Sequence, residues 1–314
     1  MTLPRLMPSM RAPTAGHQRA SFVRGRDRRP EFAPRIEGYR IRRRIGEGRT
    51  ATVYLANDLL RGGELVLKVP HQRQQGDVAR QASFAREFAI PSLIRSAHVI
   101  RVFEQLIGDD YSYIAMEYLK GGDLAARIRG GLNASQALLL LRQAALALEE
   151  LHRRGFVHCD VKPANLLMHA RADLVLADFG SARQVGATGA AAPGAVVGTP
   201  RYAAPEQTQA DPARPAADVY SLGVVFYEML CGTPPFAGTS VMEVACQHLV
   251  AAVPRLPAEL AALQPLIDSM LQKQARSRLP DGAAVLHEID LIKMAAFPSA
   301  NAARATESRC LPWT

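Results

Sequence analysis

His158-Cys159-Asp160-Val161-Lys162-Pro163-Ala164-Asn165-Leu166-Leu167 gathers an aspartate, a lysine two residues later and an asparagine five residues later into one short stretch. These three side chains can divide one piece of chemistry. The aspartate can accept a hydroxyl proton, the lysine can neutralise a moving phosphoryl group, and the asparagine can hold a metal ion. A polar loop with Asx turns uses the same residue types, but rarely all three at this spacing.

Working outward, Asp178-Phe179-Gly180 follows the short apolar strand Leu174-Val175-Leu176. Taken singly it is a turn; thirteen residues after Asn165, Asp178 becomes a candidate second metal ligand. Further on stand Gly198-Thr199-Pro200-Arg201-Tyr202-Ala203-Ala204-Pro205-Glu206, then Asp218-Val219-Tyr220-Ser221-Leu222-Gly223, then Arg278. Upstream, Gly46-Glu47-Gly48-Arg49-Thr50-Ala51-Thr52-Val53 offers glycines whose backbone amides can approach phosphate oxygens. A dinucleotide-binding turn is the rival reading, but it needs a helix directly after the glycines. Val53 and Leu55 alternate with polar residues instead, so the loop opens into a strand and a hairpin is predicted. Lys68, the only lysine in the first 119 residues, sits in the next apolar strand. A lysine there needs an anion, unless it snorkels from a sheet edge; Glu87 on a following helix and phosphate oxygens are the two candidates.

The periodicities sort the 314 residues into two halves. Before residue 120 the pattern gives about five strands and one helix: strands near Tyr39–Ile41, Thr52–Leu55, Leu65–Val69, Val99–Leu106 and Tyr111–Tyr118, and a helix over 77–90. After it the texture is helical. Asn133 caps a helix ended by Gly155, Val219–Leu230 reads as a helix buried all round, and Leu260–Leu271 and Ala283–Met294 read as amphipathic helices, the last capped by Asp281. The fold class is α+β: a small β-rich lobe over 38–118 and a larger, mainly helical lobe over 122–294, with a hinge near Glu117–Gly122 and a short tail over 295–314.

The net charge of +9 is a local property. Residues 1–44 hold twelve arginines against Asp27, Glu31 and Glu37, and the remaining residues carry 26 basic and 26 acidic side chains. Residues 1–37 therefore read as a disordered, arginine-rich tail with a possible electrostatic partner, and specific nucleic-acid binding is not expected from a tail whose only aromatic residues are Phe22 and Phe32. The four cysteines lack zinc or redox-pair spacing, no stretch is apolar enough for a transmembrane helix, and no secretory leader is read. A cytoplasmic location is expected.

Taken in order, these motifs resemble the signature of the protein kinases over about residues 38–294, and most of all the bacterial Ser/Thr kinases of eukaryotic type. The resemblance implies a two-lobed kinase fold, ATP as donor, Mg²⁺ (or Mn²⁺) as cofactor, and hydroxyls of protein substrates as acceptors. It implies that Lys68 holds the α- and β-phosphates and pairs with Glu87, and that Asp160 orients and deprotonates the acceptor with Lys162 beside it. Asn165 and Asp178 would bind the metal. Gly46, Glu47, Gly48, Val53 and Val66 would enclose the nucleotide. Met116 would be the gatekeeper, Glu117 and Leu119 would offer hinge backbone to adenine, Asp123 would reach the ribose, and Leu167 would pack under the base. Thr199 would belong to the peptide-receiving loop, Glu206 would pair with Arg278, and Asp218 would anchor the catalytic-loop backbone. Lys162 and Thr199 are the Ser/Thr-type choices.

Four positions depart from the pattern: Ala51 for the third loop glycine, Val66 for an alanine, Pro91 for an apolar residue four after Glu87, and Cys159 for the arginine that precedes the aspartate. Proline at 91 should kink or end its helix. Cysteine at 159 removes the main receptor for an activation-loop phosphate, and Thr188 is the one mid-loop phosphosite, so strict dependence on such a phosphate is not expected. A redox switch at Cys159 is the rival role. A nucleotide-binding pseudokinase scaffold is the alternative function, and the presence of Lys68, Glu87, Asp160, Asn165 and Asp178 argues against it. A small-molecule phosphotransferase would share the Asp and Asn arrangement but not Gly-Thr-Pro-x-Tyr…Ala-Pro-Glu.

Overall fold

The computed structural model describes residues 34–48, 50–71, 78–108, 111–170, 173–188, 201–209 and 211–296. Thr199, Arg49 and the arginine-rich residues 1–33 lie outside them. Two compact units emerge: Met1–Gln75 with Phe103–Tyr118, and Gly76–Val102 with Leu119–Thr314.

The first unit is a sheet built from Tyr39–Glu47 (β1), Ala51–Asp58 (β2), Glu64–Pro70 (β3), Val102–Ile107 (β4) and Ser112–Glu117 (β5), in the order β1-β2-β3-β5-β4. Two-residue alternation assigns its faces. Tyr54, Ala56, Leu65, Leu67, Tyr113 and Ala115 bury together on one side. Val53 pairs with Lys68 and Lys68 with Ile114, while Leu55 pairs with Val66 and Val66 with Met116. Cross-strand partners share a face, so these six point to the other side. The turn before β3 needs its glycines, since Gly62 and Gly63 take φ of 73° and 93°.

Ile36 corrects the tail boundary. It is only 4% exposed, packs in the sheet core, and its carbonyl accepts from Tyr39 N at 3.2 Å. Its arginine- and proline-rich neighbours hide a single apolar anchor. The strand predicted from Val99 also starts late. Val99 and Ile100 are buried in the second unit, where Ile100 N donates to Leu176 O at 2.9 Å.

The second unit is helical. Val78–Ser92 (α1) ends one residue past Pro91, which has no N–H to continue the ladder. This helix packs on the turn Phe179–Ser181, so it groups with the helical unit and not with the sheet. Asp123 caps the short helix Leu124–Arg129 (α2). Asn133 and Gln136 form a reciprocal capping box for Ala134–His152 (α3). The short Pro205–Thr208 (α4) precedes Pro215–Cys231 (α5), which is buried at every position from Ala216 to Tyr227, as its uninterrupted apolar run predicts. Val241–Val250 (α6) follows. The helix expected over 260–271 is broken into a 3₁₀ stretch, Ala258–Leu263, and Gln264–Met270 (α7), because Pro265 cannot donate to the preceding turn. Gly282–Ala296 (α8) starts under Asp281, and a Cβ on Gly282 would fall 2.5 Å from Glu149 N, so α8 rests directly on α3. Among the described residues no helix is long and apolar enough to cross a membrane.

Two short ribbons position the site. Phe156–Val157 (β6) pairs with Arg183–Gln184 (β9), and Leu166–Met168 (β7) pairs with Leu174–Leu176 (β8). The loop 158–165 runs from β6 to β7 and the loop 177–182 from β8 to β9. Pairing at both ends forces the two loops together.

Candidate active site

Asp160 is the centre of the first loop. Its Oδ2 accepts from Lys162 Nζ at 2.6 Å and from Asn165 Nδ2 at 3.1 Å. Asn165 Nδ2 also reaches Asp160 O at 2.9 Å. Both bonds of Asn165 use the amide nitrogen, which turns its carbonyl oxygen into the group available to a cation. Both side-chain donors, Lys162 and Asn165, use Oδ2 of Asp160 and not Oδ1.

The loop backbone hangs on Asp218, which is fully buried at the start of α5. Its Oδ2 accepts from His158 N at 2.7 Å and its Oδ1 from Cys159 N at 2.8 Å. His152 Nε2 donates to Oδ2 at 3.0 Å, its own Nδ1 being occupied by Gly282 N at 3.2 Å. The expected anchoring role of Asp218 thus has its geometry, and His152, the last residue of α3, is part of it.

Cys159 has φ of 64° and Asp178 φ of 66°, the two non-glycine residues with left-handed backbone among those described. Such conformations store strain that surrounding contacts must hold. At Cys159 the Asp218 bond and a Gln207 Nε2 bond to its carbonyl at 2.9 Å do so. His158 joins the two loops: Nδ1 accepts from Asp160 N at 3.3 Å, Nε2 donates to Ala177 O at 3.1 Å, and the ring meets Phe179 edge-on at 5.0 Å. Ala177 N donates to Asn165 O at 2.9 Å, so the residue before Asp178 is pinned to the residue carrying the other candidate ligand.

Arg278 ties the later segment down. It grips Glu206 with two bonds, 2.6 and 3.1 Å, and also donates to Ala216 O and Gln272 O. A buried guanidinium gains from such a fork. Asp123 caps α2 through Ala126 N at 2.8 Å, and the same residue bridges to Leu167.

Cys159 also borders a cavity of about 200 Å³ lined by Arg86, Arg183 and Arg214 together with Glu206 and Asp211. Burial and the nearby Arg183 lower the pKa of Arg86, and Arg86 Nε has no hydrogen-bond partner. Burial, and then the Asp218 carboxylate, push the Cys159 thiol well above its ordinary range. A thiol held protonated is a poor nucleophile, which argues against the redox reading.

In the sheet unit, Gly46 pairs with Val53, and Gly46, Val53, Val66, Lys68 and Met116 fall on the face away from the Tyr54–Leu67 core. A Cβ on Gly46 or Gly48 would meet nothing nearer than 3.6 Å, and neither has positive φ. The chain's own packing does not require these glycines, which suits a backbone kept bare for a ligand. Glu117 pairs with Leu65 and so falls on the opposite face. Glu87 lies on α1, 7% exposed. Among the described residues no three His, Cys, Asp or Glu cluster as a metal site. Mg²⁺ held with phosphates needs only one or two side-chain oxygens, so Asn165 and Asp178 remain a fitting donor set.

The sheet unit, the helical unit and the Asp160–Lys162–Asn165 loop are the parts that the resemblance to protein kinases implies. Residues 39–289 match the protein kinase domain family. The chain is 35% identical over 262 residues to a Ser/Thr protein kinase, drp72, of Corynebacterium efficiens, covering 81% of this chain and 50% of the relative. It is 34% identical over 284 residues to PknA of Corynebacterium glutamicum, covering 88% and 60%, and 34% identical over 223 residues to PrkC of Bacillus subtilis, covering 70% and 34%. The chain belongs to the protein kinase family, in its bacterial Ser/Thr branch. It spans about half to three-fifths of the length of the first two relatives.

Proposed function

We propose that the chain transfers the γ-phosphoryl group of ATP to Ser/Thr hydroxyls of protein substrates. The arrangement of Asp160 carries this reading: one carboxylate oxygen is fixed by Lys162 and Asn165, which leaves the other to act as a base. Asp160 orients the hydroxyl and takes its proton, and Lys162 offsets charge on the transferring group. Lys68 would hold the α- and β-phosphates beside the bare glycines Gly46 and Gly48, with Glu87 as the ion-pair partner that the family resemblance implies. Asn165 and Asp178 would hold Mg²⁺, which supplies charge neutralisation on the phosphates. Glu117 and Leu119 would offer backbone groups to adenine, Met116 would be the gatekeeper, Val53, Val66 and Leu167 would border the nucleotide, and Asp123 would offer its second oxygen to the ribose. ATP supply favours a cytoplasmic location. Incubation with Mg-ATP and a degenerate peptide library, followed by phosphosite mapping, tests the assignment. Phosphoserine and phosphothreonine are expected; ATP binding without transfer would make the chain a scaffold.

The site should not strictly need an activation-loop phosphate. Asp218, His158, Gln207, Ser83 and Arg278 restrain the loops through backbone and neutral or already paired groups, none of which calls for an added charge. Gly186 N also donates to Ala213 O, and Ala213 N to Ala187 O, both at 2.9 Å, so the stretch leading to Thr188 has a fixed start. A second reading has its own support: Arg86, Arg183 and Arg214 keep cationic groups beside Cys159 that could receive a phosphate despite the missing arginine. Residues 1–33 add an arginine-rich arm suited to an anionic partner; deleting residues 2–33 should lower retention on heparin, with steep salt dependence.

A further inference from the structure

Away from the catalytic loop, a hydrogen-bonded chain crosses the helical unit in one direction. Lys273 Nζ donates to Tyr220 OH at 3.3 Å and to His248 O at 2.8 Å. Tyr220 OH lies 3.0 Å from His248 Nδ1, and His248 Nε2 lies 3.0 Å from Arg201 O. A carbonyl can only accept, so His248 must carry its proton on Nε2. Its Nδ1 is then an acceptor, Tyr220 donates to it, and the Tyr220 oxygen is left to accept from Lys273. The His248 carbonyl, at 3.4 Å, is a second and longer acceptor for the Tyr220 hydroxyl.

The imidazole is fixed in place as well as in tautomer. It is fully buried, with the Phe236 ring edge-on at 4.9 Å and Tyr220 tilted at 5.6 Å. Burial, with the charge of Lys273 adding to it, lowers its pKa to about 4, so it stays neutral near pH 7. Lys273 is held over the Phe236 ring at 4.1 Å. At the far end, Arg201 is the residue before Tyr202, whose hydroxyl donates to Glu228 Oε2 at 2.9 Å. The loop is therefore pinned by its backbone to α6 and by the next side chain to α5. His248 supplies the bond between this loop and α6.

We propose that His248 is a positioning residue for the peptide acceptor, holding the Arg201–Tyr202 loop through its Nε2 proton. This rests on the reading of the chain as a protein kinase and of that loop as its peptide-receiving segment. A neutral, single-tautomer donor suits the task, since the loop geometry then stays constant while charged substrates arrive and leave.

The test measures KM for a peptide and for ATP separately, using the library member that the wild type phosphorylates fastest. His248→Phe keeps the aromatic packing and removes the donor. It should raise the peptide KM about tenfold, the scale of one buried neutral hydrogen bond, with the ATP KM within about twofold. His248→Gln, whose amide can still donate to Arg201 O, should recover most of the loss. If His248→Phe does not fold, Tyr220→Phe carries the test, with an expected rise in peptide KM of about threefold. An unchanged peptide KM in the folded variant, or equal rises for peptide and ATP, would overturn the proposal. A wild type that transfers nothing to the library would bring down the kinase reading itself, a distinct result from transfer with an unmoved KM.

Discussion

The catalytic loop 158–165 and the cavity beside it meet at Cys159 and are built on opposite electrostatic plans. In the loop, the amides of His158, Cys159 and Asp160 each have a designated acceptor, and the carbonyl of Cys159 has a donor. In the cavity, burial and then the neighbouring Arg183 disfavour the charge of Arg86, and Arg86 Nε has no partner. The contrast teaches where control can act. The loop is held by contacts internal to the chain, whereas the cavity sets Arg86, Arg183 and Arg214 beside Glu206 and Asp211, where an added anion would be felt.

The largest effect should come from the loop. Asp160→Asn removes the base while keeping the shape, and phosphate transfer to a peptide should fall by about a thousandfold or more. Lys68→Met should do the same through the phosphates. Wild-type-like turnover in Asp160→Asn would break the assignment. Asp218→Asn comes next. It replaces one acceptor oxygen with a donor facing N–H groups, at a stability cost of about 1–3 kcal/mol and a kcat loss of about ten- to a hundredfold. Calorimetry and peptide kinetics check both; full activity would mean that Asp218 does not hold the loop.

Cys159 lies on the boundary and sharpens the comparison. Because burial raises its pKa, the thiol stays protonated through the physiological range, and thiolate forms only at strongly alkaline pH. At pH 8, iodoacetamide should label the exposed Cys246 at least about tenfold faster than Cys159, read by mass spectrometry of the peptides. Comparable labelling, or peroxide inactivation prevented by Cys159→Ser, would restore the redox reading.

Much of this was legible in the residues, for physical reasons. The Asp160–Lys162–Asn165 spacing is local chemistry, and period-two alternation already put Val66 and Lys68 on one face of a strand. Pro265 signalled the break in the predicted 260–271 helix, though its neighbours' apolar spacing outweighed it. What was not legible depends on distant partners. The left-handed backbone of Cys159 is held by Asp218, 59 residues on. His248 looks like one more residue of an amphipathic helix until Tyr220 and Arg201, 28 and 47 residues away, are brought to its two nitrogens. Ile36 was masked by the charge of the segment around it. The cavity arginines come from α1, β9 and the residue before α5, so no local pattern announces them.

The smallest expected effect carries the most weight, because it separates internal contacts from added charge. Thr188 is exposed beyond the fixed stretch Gly186–Ala187, and its removal should change little. After phosphatase treatment of both proteins, wild type and Thr188→Ala should phosphorylate a peptide at initial rates within about twofold of each other, linear from the first time point. A lag in the dephosphorylated wild type that vanishes on preincubation with Mg-ATP, or a deficit of about tenfold in Thr188→Ala, would contradict the account and give the cavity arginines the deciding role.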